Sequence, residues 1–128
     1  MKHFSSLLLL LLLTSCYTIE RNCTDFKTGT FEFTYTIDGV EKTSRFKRTE
    51  HFNIDYHEEV ADSSSIRWIN DCEFILKKLH PTNNSEKNAI HMKILSTTED
   101  SYMFEYKLAV KRPNKPLNIE KGIARRVK

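Results

Sequence analysis

The side chains best suited to hold a metal ion are His51, Asp55 and His57, which share one face of the alternating run from His51 to His57. Imidazole and carboxylate together suit zinc or copper. Along one straight strand, however, residues two apart are separated by about 7 Å. His51 and His57 would share an ion only across a bulge, or with ligands from a neighbouring strand. A solvated strand face is the simpler reading, and no metal or other cofactor is expected. Nucleophilic catalysis has little to build on: the three glycines make no G-x-S-x-G elbow, and Ser63-Ser64-Ser65 reads as a loop. No glycine-rich phosphate loop is present. Glu58-Glu59 also falls in an expected loop, where burial does not raise a carboxyl pKa. His80, before Pro81, and His91 read as structural. The chain is not expected to be an enzyme.

A concentration of aromatic side chains is the other feature with chemical potential. Phe31, Phe33, Trp68, Phe74, Phe104 and Tyr106 would line an apolar cavity for a small hydrophobic ligand, or form the core. At period two the core is the simpler assignment.

The elements that position these residues are strands. Phe31, Phe33, Tyr35 and Ile37 alternate with Glu32, Thr34 and Thr36, and Asp38-Gly39 follows, a favoured pair for a two-residue type I′ hairpin. Setting Ile37 against Val40 places Phe31 opposite Phe46 and Glu32 opposite Arg45, so apolar meets apolar and acid meets base. The next run puts Phe52, Ile54 and Tyr56 inward, with His51, Asn53, Asp55 and His57 outward. After a polar loop through Glu58–Ser65, the residues Ile66, Trp68, Cys72, Phe74 and Leu76 share a face. Either a three-residue turn at Ile69-Asn70-Asp71, pairing Trp68 with Cys72, or one bent strand keeps that face intact. A loop at His80–Asn88 leads to Ile90, Met92 and Ile94, which face Tyr102, Phe104, Tyr106, Leu108 and Val110 across a turn near Glu99-Asp100. A last strand is expected within Leu117–Val127. Seven or eight short antiparallel strands with no strong helix predict an all-β meander, closed as a small barrel or packed as a sandwich.

The N-terminus has a basic start at Lys2, seven leucines from Leu7 to Leu13, then Thr14, Ser15 and Cys16. This reads as a secretory signal over residues 1–15. The apolar run is too short for a stable transmembrane helix, which needs about 20 residues. Residues 16–27 are then an N-terminal tether, and 28–128 form one β-domain. With an oxidising address, Cys23 and Cys72 form an even pair, expected as a disulfide rather than as two separate thiols.

Charge is uneven. Residues 107–128 carry eight Lys/Arg against Glu120, a local +7, whereas 16–106 carry a net −5. Lys111, Arg112, Lys115, Arg125 and Arg126 are candidate contacts for anionic lipid or glycan. The alternative is a solvated edge that aids solubility.

The stretch Leu13-Thr14-Ser15-Cys16 resembles the lipobox of bacterial lipoproteins. That resemblance implies a diacylglycerol on the Cys16 sulfur, acylation of its amine, and a firm membrane anchor. The periplasmic face of the outer membrane is the expected location, and nucleic acid is not an expected partner. Lys27-Thr28-Gly29-Thr30-Phe31 resembles the G-x-W start of lipocalin-like proteins, and Ile66 through Phe74 is similar to a W-x-x-x-C-x-aromatic stretch of small lipocalin-like lipoproteins. From the lipobox through Arg21-Asn22-Cys23 to Phe104-Glu105-Tyr106, the chain resembles a family of small flavobacterial lipoproteins of unknown function, whose members often carry the automatic name DNA topoisomerase IV. The size and address of this chain do not suit that activity. The lipid anchor, the alternating aromatics and the G-x-F start lead to the expectation of a membrane-anchored envelope protein that binds a small apolar ligand or a partner protein. A structural or assembly role at the outer membrane, through the basic C-terminal end, is the alternative.

Overall fold

Asp38 and Gly39 adopt φ of 51° and 77°, so the first hairpin turns at the pair that the sequence marks. The computed structural model describes residues 21–110, 113–115 and 118–128. The expected signal segment, Cys16, Lys111 and Arg112 lie outside the described residues. Eight strands follow in order: β1 Gly29–Ile37, β2 Val40–Arg48, β3 Phe52–His57, β4 Val60–Asn70, β5 Glu73–Lys78, β6 Ile90–Thr97, β7 Ser101–Leu108 and β8 Glu120–Arg126. Each pairs antiparallel with the next, and β8 returns to β1, closing a barrel consistent with the lipocalin-like architecture. Closure removes the sheet edges that a sandwich would leave.

The β1–β2 register is the one the alternation implies, with Ile37 opposite Val40, Phe31 opposite Phe46 and Glu32 opposite Arg45. On the inner face the Phe31 and Phe46 rings stack at 5.3 Å. β6 and β7 also pair as expected, Ile90 with Leu108 and Met92 with Tyr106, with a bulge at Leu95.

Three local expectations are corrected. Glu58 and Glu59 form a two-residue turn with φ of 47° and 71°, so β4 starts at Val60 and takes in Ser63-Ser64-Ser65. Between β4 and β5, Trp68 pairs with Phe74 and Ile66 with Leu76; a bulge at Ile69 absorbs the extra residue, and Cys72 sits in the turn. The third correction is the face of β3. Phe46 pairs with Asp55 and Arg48 with Asn53, so Asn53 and Asp55 share the inner face with Phe46, while Phe52 and Tyr56 are exposed. Four residues, Thr49–Phe52, separate the innermost pair Arg48–Asn53. Residues directly opposite share a face, so this spacing puts Asn53 and Asp55 inside.

One end of the barrel is plugged. Cys23–Phe26, within the segment expected as tether, form a 3-10 turn with Cys23 and Phe26 buried. Phe26 packs against Tyr102 at 5.2 Å and Phe31 at 6.1 Å. The Cys23–Cys72 disulfide ties this plug to the β4–β5 turn. Phe26, Phe31, Phe74, Ile94 and Tyr102 are the largest fully buried side chains and form the closed end's core. Burying each contributes about 1.5–3 kcal/mol.

Candidate functional site

Arg126, one of the candidate basic contacts, is half-buried and reaches over the plug. Its guanidinium donates to the carbonyl oxygens of Asp25 and Thr28 and lies over the Phe26 and Phe31 rings, each at 5.2 Å. The path it takes explains Gly29: a Cβ there would lie 2.7 Å from Arg126 Nη1, and the residue's φ is +135°. Phe31 thus serves as the aromatic floor beneath the last strand's arginine. Arg125 points outward, opposite Glu32 on β1, and Lys115 is exposed in a bend between β7 and β8. Of the described members of the basic set, Arg125 and Lys115 are exposed and Arg126 is half-buried.

Above the plug the barrel is hollow. A cavity of about 210 Å³ opens between the inner faces of the strands. Of the aromatic set singled out in the sequence, Phe33, Phe104 and Tyr106 line it. Phe31 and Phe74 lie below it in the closed-end core, and Trp68 packs against Phe74 at 4.5 Å, with the Lys27 ammonium 5.1 Å from the Trp68 ring centre. Phe46, Leu76, Ile90 and Met92 complete the apolar wall.

The polar side of the cavity is what sequence reasoning missed. Arg48, at the end of β2 nearest the plug, is 2% exposed. Its Nη1 donates to the Phe26 carbonyl at 2.8 Å, Nη2 to the Tyr102 hydroxyl at 2.9 Å and Nε to Asn53 Oδ1 at 3.4 Å. Five rings surround the guanidinium, from Phe74 at 4.6 Å to Trp68 at 6.0 Å. A usable signal existed: the β1–β2 register puts Arg48 opposite Gly29, on the same face as Phe46.

Asn53 links Arg48 to Asp55, donating from Nδ2 to Asp55 Oδ2 at 3.3 Å. Burial pushes the Asp55 carboxyl above its ordinary value, and Asp62, directly opposite on β4, adds to the push. His57, the Asn53 hydrogen bond and Lys78 act in the other direction. Burial also raises the Tyr102 phenol, which the Arg48 charge only partly offsets, so Tyr102 stays neutral and accepts from Arg48. Near the mouth, Lys78 bridges Asp62 at 2.8 Å and Glu86 at 2.5 Å. Lys78 and Thr82 hold the Glu86 carboxyl down at about 2. Glu86 belongs to the connection between β5 and β6, so this ion pair fastens that connection to the rim.

His51 is exposed before β3, His57 is exposed at its end, and Asp55 faces inward. Among the described residues no three His, Cys, Asp or Glu side chains converge on a metal position. His91 pairs with Glu73 at 3.2 Å. A groove of about 540 Å³ also runs along the seam of β1, β7 and β8, bordered by Glu32, Lys121 and Arg125 beside exposed Ile123. The barrel interior, by contrast, combines buried polar groups with an apolar wall.

Fold and cavity together define a small closed antiparallel barrel, hollow at one end and covalently plugged at the other. No family model, curated protein or solved structure matches the chain.

Proposed function

We propose that this chain is a lipid-anchored protein of the bacterial envelope whose barrel binds a small apolar molecule without transforming it. The observation that carries this reading is the cavity of about 210 Å³ walled by Phe33, Phe46, Met92 and Phe104. A cavity of about 150 Å³ lined by apolar side chains accepts benzene, whereas drug-sized ligands need about 300–1,000 Å³. The matching occupant is a single aromatic ring with a short chain, or the end of a longer apolar molecule that leaves through the mouth. The lining holds no serine, cysteine or histidine among the described residues, which favours holding over catalysis. The leader over 1–15 and Cys16 support the anchor and the envelope location.

Native mass spectrometry of the protein purified from its own membranes tests both parts. A discrete added mass that leaves on denaturation supports a ligand. A mass of residues 16–128 plus acyl chains supports the anchor. An unmodified Cys16 would overturn the anchor, and a chain that carries and takes up no small apolar molecule would overturn the binding reading.

A further inference from the structure

The cavity has a charged floor that its apolar walls do not require. Arg48 is buried, yet all three of its hydrogen-bond partners are neutral: the Phe26 carbonyl, the Tyr102 hydroxyl and the Asn53 amide oxygen. Among the described residues no carboxylate pairs with it within 4.0 Å. A guanidinium carries five N–H groups, and three bonds are made, so two donors remain for another acceptor. The Tyr102 hydroxyl accepts from Arg48, which leaves its own proton free to be donated. Asp55 is the one carboxylate among the described lining residues, but the Asn53 amide is interposed between it and Arg48. A buried cation without a direct counter-ion is costly, by several kcal/mol even after relaxation. The ring faces around it return part of that cost, about 0.5–2 kcal/mol for each well-placed cation–π contact.

We propose, building on the ligand-binding reading, that the occupant is a small amphipathic carboxylate, its anionic group received by Arg48 and Tyr102 and its apolar body held by Phe33, Phe46, Met92 and Phe104. Carboxylate geometry matches the guanidinium fork, and charge-assisted hydrogen bonds are about twice as strong as neutral ones. The inner surface is divided to suit such a molecule. Arg48, Asn53 and Asp55 of β2 and β3, with Tyr102 of β7, supply its polar groups, whereas Phe33, Phe46, Ile90, Met92 and Phe104 supply apolar wall from β1, β2, β6 and β7. The depth of Arg48, next to the plug, means the anionic end enters first.

The test compares two probes of one shape on the full lipidated protein in neutral detergent: 3-phenylpropionate and its amide, 3-phenylpropanamide, titrated by calorimetry. The acid is expected to bind at least tenfold more tightly than the amide and to move the Arg48 Nε–H resonance in ¹⁵N-labelled protein. In Arg48→Met the ratio should fall to about one. Should Arg48→Met not fold, Tyr102→Phe keeps the cation, removes one donor and should reduce the ratio severalfold. Equal binding of acid and amide overturns the anionic anchor and leaves the cavity reading standing. A preference for acid with an unmoved Arg48 resonance overturns the assignment to this residue. Binding of neither probe removes both readings together.

Discussion

Replacing both bridge cysteines, Cys23→Ala with Cys72→Ala, should lower stability by about 4 kcal/mol while leaving the barrel folded. The bridge joins positions 49 apart and therefore closes a long loop in the unfolded chain. In the chain-entropy model a loop of about 50 residues costs roughly 14 cal/mol/K to close, or about 4 kcal/mol at room temperature. Oxidised, the unfolded chain lacks that freedom already; the variant regains it. The plug keeps its other attachments, with Phe26 between Phe31 and Tyr102 and two arginines on the Phe26 and Asp25 carbonyls. A domain with about 5–15 kcal/mol in hand survives the loss. Urea unfolding followed by circular dichroism reads it: a native spectrum unchanged at low temperature, and a thermal midpoint lower by about 15–30 °C. A loss under about 1 kcal/mol would refute the reasoning, since the constraint would then not act on the unfolded chain. Loss of the native spectrum would refute it differently, by making the bridge the plug's only effective attachment.

Gly29→Ala should destabilise by about 2 kcal/mol, because φ of +135° excludes a Cβ that would also lie 2.7 Å from Arg126 Nη1; wild-type-like urea unfolding would refute this. Glu59→Gly should stabilise by about 0.5–1 kcal/mol and raise the thermal midpoint by a few degrees, since Glu59 holds φ of 71° beside a second left-handed glutamate. Arg126→Met should cost about 2–3 kcal/mol, through lost bonds to the Asp25 and Thr28 carbonyls, whereas exposed Arg125→Met should change stability by less than about 0.5 kcal/mol; equal effects would refute the Arg126 contacts. Asp55 holds its proton more tightly in the folded than in the unfolded chain, so the wild type should lose stability as pH rises from the ordinary aspartate value of 3.8 through its raised folded value. Asp55→Asn should match the wild type at low pH and exceed it at neutral pH, and parallel stability curves across that range would refute the burial of this carboxyl.

The sequence made the barrel's strands legible because period two is a backbone property that side chains announce directly. The β1–β2 register followed from Asp38-Gly39, a pair whose chemistry fixes both turn type and pairing. At β3 the same logic failed. Phe52, Ile54 and Tyr56 offered an apolar face, yet parity was set by the Thr49–Phe52 connection and by the acceptors that buried Arg48 requires. Glu58-Glu59 concealed a tight turn, because neither residue is a usual occupant of positive φ. The disulfide was readable from cysteine parity, whereas the plug that it fastens was not: Phe26 sits in a segment with no alternation to betray its burial. The candidate site was half legible. Its apolar wall came from the strand pattern, but its polar floor required knowing which face of β2 and β3 turns inward.

That floor is also the strongest argument that the interior is more than a core. A barrel of this size gains most from filling itself with its own apolar side chains. Here Ser44, Arg48, Asn53 and Ser64 are buried polar residues on the inner faces of β2, β3 and β4, and the Ser44 hydroxyl has no hydrogen-bond partner among the described residues. Each unsatisfied buried polar group costs about 1–3 kcal/mol, a sizeable part of a stability that totals about 5–15 kcal/mol. Apolar residues of similar volume at such positions are often neutral or stabilising. Arg48 earns part of its place structurally, by holding the Phe26 carbonyl, but an uncharged donor would do that without a buried cation. Asp55 accepts from Asn53 but sits opposite Asp62 on the same inner face, where like charges set directly across a sheet repel. On the proposed reading, the polar wall persists beside an unfilled space because a ligand enters that space. On that reading Arg48 at the floor would meet the occupant's anionic end, and Phe33, Phe46, Met92 and Phe104 its apolar body.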